Sequence, residues 1–169
     1  MKKLLGLLAI FLMFNSCDDG DLDTDNIDFG DTPIVACTEN DILYKLNDTE
    51  VLILLIPEDQ NPYQNIEGIK TYPINSSNQV RYRLYNGTVG IDNICATIQP
   101  GTPQITEEWI AVGGNIIVDT KAELSTPDEI TGATKITKYI HEISFENIVY
   151  AKPDGSTIIF AESEFGDYT

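Results

Sequence analysis

Residues 79–85 constrain the fold more than any other stretch. Val80, Tyr82 and Leu84 hold one parity, and Gln79, Arg81, Arg83 and Tyr85 the other. A half-buried strand needs this period of two, and a helix cannot use it. Asn86-Gly87 follows, the residue pair that a primed two-residue turn prefers, and Val89 and Ile91 then read as a return strand. The same grammar recurs along the chain. Residues 27–29 and 33–37 flank a Gly30-Asp31-Thr32 turn, and Ile42, Tyr44 and Leu46 alternate up to Asn47-Asp48. Residues 51–56 are apolar at both parities, which suits a central strand covered on both faces. A weaker strand fits residues 68–72, inside a long excursion over residues 57–78 that carries Pro57, Pro62 and Pro73.

In the second half, residues 109–112 and 115–124 read as a hairpin about Gly113-Gly114. Residues 135–150 form the longest strand. Its apolar parity switches between Ile136/Ile140 and Ile143/Phe145/Val149, so an extra residue is expected near His141-Glu142, as a β-bulge. Pro153-Asp154-Gly155 turns that strand into residues 157–161, and residues 162–169 make a last edge segment. Helix is expected only near Pro127, where Ser125-Thr126-Pro127-Asp128-Glu129 resembles a capped start and Gly132 limits it to a turn or two. These features describe an all-β chain, expected as an antiparallel β-sandwich with a β-barrel as the alternative. Val80, Tyr82, Leu84, Val118, Ile143 and Phe145 are its expected core. Cys37 and Cys95 do not bracket Trp109, so the immunoglobulin signature is absent.

The N-terminus is of another kind. Met1, Lys2 and Lys3 precede residues 4–14, an uncharged apolar run with the layout of an export signal, too short to span a bilayer. Ser16 and Cys17 end it, and Asp18-Asp19-Gly20-Asp21 follows at once. Here the stretch resembles the signal of bacterial lipoproteins, particularly those of the Bacteroidota, with Phe14 and Asn15 where the usual lipobox has Leu and a small residue. The resemblance implies that residues 1–16 are removed and that the Cys17 thiol receives diacylglycerol while its freed amine is acylated. It also implies that Asp18, Asp19 and Asp21 act as an export tag to the outer face of the outer membrane. The other reading is an ordinary secretory signal cleaved elsewhere, with Cys17 free or disulfide-bonded. On the lipoprotein reading the chain divides into a signal (1–16), an acidic tether (17–25) and a single β-sandwich domain (26–169), with the membrane as a partner through the lipid.

Assigning Cys17 to lipid leaves Cys37 and Cys95 as a disulfide pair in an oxidising compartment. No Cys-x-x-Cys occurs and His141 is the only histidine, so no zinc site is expected. Asp21, Asp23 and Asp25 have the spacing of a calcium loop, but Asn26 stands at its sixth position and Thr32 at its twelfth. The sharp turn and the bidentate carboxylate are both lost. No metal ligand, cofactor or catalytic residue is assigned. The formal net charge of −17 repels nucleic acid, which is not an expected partner.

Five residues form the candidate binding surface: Tyr63, Tyr72, Arg81, Arg83 and Trp109. The tyrosines either stack on a sugar or cover the long loop's own core. Arg81 and Arg83, the chain's two arginines, either grip an anionic group or balance acidic side chains on a neighbouring strand. The function that fits is a non-enzymatic surface module binding a glycan or an envelope protein. The alternatives are a small hydrolase using a carboxylate pair, drawn from Glu107-Glu108 or Glu142 and Glu146, and a structural subunit of an envelope assembly.

Overall fold

Eight strands follow one another in the computed structural model, which describes residues 27–169. They are β1 (Val35–Ala36), β2 (Ile42–Asn47), β3 (Glu50–Leu55), β4 (Gly68–Pro73), β5 (Gln79–Tyr85), β6 (Ile105–Leu124), β7 (Ile136–Ala151) and β8 (Thr157–Tyr168). Cys17, the aspartates at 18, 19 and 21, the signal and the tether lie outside the described residues. Every pairing is antiparallel, in the order β1-β2-β3-β5-β6-β7-β8, with β4 added on β6. The chain is therefore all-β, one antiparallel sheet that is not closed into a barrel. Among the described residues no helix is long and apolar enough to cross a membrane.

The sheet is organised by a bend in its two longest strands. One edge of β6 pairs with β5 through residues 105–110 and with β4 through residues 115–120. Between these stretches lies Gly113-Gly114, and β7 runs along the other edge from Ile110 to Leu124. Inward residues on β6 are Trp109 and Ala111 before the bend and Ile116, Val118 and Thr120 after it. On β7 they are Tyr150 and Ile148 on one side and Phe145, Ile143 and His141 on the other. Both strands thus change parity at the same place, and the two halves of the sheet face one core. Gly114 has φ +103°, and a Cβ built there would stand 2.6 Å from the Asn147 carbonyl oxygen.

Two expectations are corrected at this bend. Gly113-Gly114 is no hairpin turn: β6 passes through it unbroken, because each arm finds a longer partner in β4, β5 or β7 than it would in its own short neighbour. The bulge is also not at His141-Glu142, where the β6–β7 register is continuous. It lies at Asn147, φ 51°, where two residues of β7, Asn147 and Ile148, stand between Glu146 and Val149 while one of β6, Gly114, stands between Asn115 and Gly113. Val149 accordingly points outward, and Ile148 and Tyr150 point in.

β3 is buried on both faces, as its double-parity sequence requires. Leu52 and Leu54 enter the main core, and Val51 and Ile53 enter a second cluster with Tyr44, Tyr85, Val89 and Ile94. Residues 86–104 cover that second cluster, and α1 (Asp92–Cys95) is one turn within them. The expected Asn86-Gly87 hairpin is corrected here. Both edges of β5 are already taken, by β3 and β6, so a return strand has nowhere to pair. Val89 donates instead to the Asp48 carbonyl, and Asn93 accepts from Gly90 N–H while donating to the Thr102 carbonyl. Cys37 and Cys95 are joined, with α-carbons 5.5 Å apart, and the bond ties this cover to the start of the sheet.

Residues 125–135 also depart from expectation, forming a turn with no helix. The Asp128 carboxylate accepts the N–H groups of Ile130 and Thr131 and the Thr131 hydroxyl, a closed local arrangement that competes with a helix start. Residues 27–29 form no strand either. Thr32 N–H returns to the Phe29 carbonyl, and Phe29 enters the main core with Ile27 and Ile34 against it. Of the expected core, Val80, Val118, Ile143 and Phe145 are buried, while Tyr82 and Leu84 are half-buried. Each fully buried side chain of this size contributes about 1.5 to 3 kcal/mol.

Candidate functional site

The five residues of the expected binding surface do not meet on one shelf. Trp109 is buried, its indole N–H donates to Glu107 Oε1 at 2.6 Å, and the Lys152 ammonium lies 4.2 Å above its ring. Tyr82 and Tyr150 pack against the same ring. Arg83 Nε donates to Glu108 Oε1 at 2.7 Å and Arg81 reaches the same oxygen at 3.5 Å, so the arginines balance a carboxylate on the neighbouring strand. Tyr72 is buried in the main core. Of the five, Tyr63 lines a cleft of the size that holds a ligand.

Glu107 and Glu108 thus serve Trp109 and the arginines. Glu142 pairs with Lys121, which also reaches Asp119 at 3.3 Å. Glu142 and His141 point to opposite faces of β7, as adjacent strand residues must.

The Tyr63 cleft, about 650 Å³, lies where residues 36–42 meet residues 56–64. Ile42, Tyr63 and Tyr168 supply apolar and aromatic surface, and Glu39, Asp41, Glu58, Asn61 and Gln64 supply carboxylates and amides. Its walls are fixed before any ligand arrives. Asn40 accepts from Ile42 N–H and donates to the Cys95 carbonyl, and the adjoining Cys37 is held by its disulfide. The Asp41 carboxylate accepts Glu58 N–H at 3.1 Å, joining the two loops. The Lys70 ammonium donates to the Asn61 carbonyl at 2.8 Å and to Gln64 Oε1 at 3.2 Å. Walls held in this way lose little entropy on binding.

Behind the cleft lies a polar aromatic cluster. Tyr63 stands edge-on to Tyr168 at 5.1 Å and to His141 at 5.6 Å between ring centres. His141 Nδ1 is 2.8 Å from Thr120 Oγ1, both residues buried. Burial holds the imidazole pKa below its ordinary value, and the Lys70 charge adds to this. The Tyr63 phenol is pushed well above the ordinary tyrosine value, first by burial and then by Tyr168, Tyr72 and Asp41. The buried hydroxyls of Tyr63 and Tyr72 have no hydrogen-bond partner among the described residues.

A second cleft, about 700 Å³, lies between residues 27–34 and β8. Its buried cation is already spent: Lys45 Nζ donates to the Gly30 carbonyl at 2.8 Å, with Asp28, Asp31 and Glu164 around it. Burial lowers the lysine pKa, and those carboxylates oppose the shift.

Sequence reasoning singled out Tyr63 and His141 but missed Asp41, Glu58 and Tyr168. Nothing local marks them, since they join Tyr63 through a loop contact and the far end of β8. No protein-family model, curated protein or solved structure gives a significant match to this chain.

Proposed function

We propose that the chain is a lipid-anchored module on the outer face of the outer membrane that binds a glycan, without catalysis, in the cleft beneath Tyr63 and Tyr168. One observation carries this reading: the cleft combines aromatic surface with pre-fixed carboxylates and amides. A sugar ring has an apolar C–H face and a rim of hydroxyls, and such a site matches both. Of the carboxylates considered for hydrolysis, Glu107, Glu108 and Glu142 are engaged by Trp109, the arginines and Lys121 and do not line this cleft. The anchoring half of the reading rests on the N-terminal resemblance alone.

A glycan array probed with the purified protein tests it. Retention of one glycan class, lost in an Asp41→Ala/Tyr168→Ala double variant, is the expected result. Retention of no glycan, or equal retention by the double variant, refutes it.

A second reading has its own observation. Ile110, Val112 and Ile159 are exposed on β6 and β8, with Ala151 of β7 opposite Ile110 and Val149 opposite Ile159. Such a row suits an envelope protein. Pull-down with an Ile159→Asp variant as control separates the two.

A further inference from the structure

The Tyr63 and Tyr72 hydroxyls are an unusual pair to find unpaired. A buried hydroxyl without a partner loses its water and gains nothing, and native proteins tolerate few of them. Here two lie within electrostatic reach of each other in one corner of the core. A phenylalanine at either position would keep the ring packing and shed the penalty. The two sites differ in placement. Tyr63 lines the cleft and interacts electrostatically with Asp41 on its wall, whereas Tyr72 is a core residue of β4 and does not line it. Tyr168, half-buried at the end of β8, packs edge-on against Tyr63 and also lines the cleft.

We infer that the Tyr63 hydroxyl is a ligand-binding group of the cleft, unpaired in the free protein, and that a sugar hydroxyl becomes its partner on binding. The inference rests on the glycan reading and deepens it. It makes Tyr63 a specificity-determining residue, since a site that has left a polar group unpaired gains most from a ligand that pairs it. Tyr72 serves as the internal control, carrying the same penalty without contact with the ligand.

The test compares Tyr63→Phe and Tyr72→Phe in the full-length protein. Thermal unfolding and calorimetric titration are run with glucose, mannose and xylose hexasaccharides of defined linkage. Both variants should unfold at the wild-type temperature or about 2 to 4 °C higher, because neither loses a hydrogen bond. Tyr63→Phe should weaken binding of the retained hexasaccharide about tenfold, the worth of one good hydrogen bond, and Tyr72→Phe should bind as wild type does. Lowered thermal stability of Tyr63→Phe would overturn the inference by revealing a structural partner. So would wild-type affinity in Tyr63→Phe, or an equal loss in both variants. If the wild-type protein binds none of the hexasaccharides, the glycan reading falls and takes this inference with it; the preceding outcomes overturn the inference alone.

Discussion

Gly114→Ala tests the bend on which both halves of the sheet depend. The new Cβ would stand 2.6 Å from the Asn147 carbonyl oxygen, 2.7 Å from Ile148 Cα and 2.9 Å from the Asn147 carbonyl carbon. All three are backbone atoms in the middle of β7, so no side chain can swing away. The φ of +103° is a second obstacle, since side-chain-bearing residues rarely adopt it. Backbone strain of this kind costs about 1 to 3 kcal/mol, and forcing an atom into a packed site costs about as much again. The expected loss is therefore about 2 to 6 kcal/mol, a large part of the roughly 5 to 15 kcal/mol that holds a domain folded. Urea unfolding followed by tryptophan fluorescence measures it, and with a slope near 2 kcal/mol/M the midpoint should fall by about 1 to 3 M. Gly113→Ala is the control. Its Cβ would meet Val149 Cγ2 at 3.7 Å, an ordinary contact, and the expected change is under about 1 kcal/mol. A Gly114→Ala protein within about 0.5 kcal/mol of wild type would refute the bend as a close backbone crossing.

The Cys37→Ser/Cys95→Ser double variant should lose about 4 kcal/mol in urea unfolding, as expected for a cross-link spanning 58 residues, and a loss under about 1 kcal/mol would contradict this. His141 is buried as the neutral imidazole, with a pKa below that of the unfolded chain, so the unfolded state takes up the proton first. Its contribution should be intact above about pH 7 and decline as pH falls from about 6.5 through the lowered folded-state value, and His141→Gln should flatten that slope. Asp128 and Asp154 do not confuse the window, because their hydrogen bonds hold them below the usual carboxylate range. An unchanged slope in His141→Gln would count against the neutral imidazole. Cys17→Ser should leave the protein uncleaved or released from the membrane, whereas alanine at Asp18, Asp19 and Asp21 should keep the lipid and reduce protease shaving of intact cells. Wild-type fractionation of the Cys17→Ser protein would defeat the anchoring proposal.

What could be read directly was local. The alternation in residues 42–47 and 79–85, the Asn47-Asp48 turn and the Pro153-Asp154-Gly155 turn lie within a few residues of the contacts they specify, and β2, β3, β5 and the β7–β8 hairpin follow from them. The two-sided burial of β3 was legible for the same reason, since its apolar residues occupy both parities and must find two cores. The pairing of Cys37 with Cys95 followed from setting Cys17 apart.

Strand-edge occupancy was not legible. Asn86-Gly87 and Gly113-Gly114 both carry the residues of a tight turn, yet neither makes a hairpin. The edges of β5 are filled by β3 and β6, and β6 gains more from β4, β5 and β7 than from folding on itself. The parity switch expected in β7 is not the one that exists: Ile136 is exposed and Ile140 only half-buried, off the buried parity of Ile143 and Phe145, and the real switch runs from Phe145 to Ile148, because Asn147 bulges where Gly114 approaches from the neighbouring strand. The cleft belongs to this class as well. Tyr63 and Tyr168 lie more than a hundred residues apart and are joined only when β8 completes the sheet, so the site exists at the level of strand order. Side-chain period fixes which face a residue shows, a property of its nearest neighbours along the chain. Which strand lies beside which is settled by competition among all the edges at once, and that competition is resolved only in the folded protein.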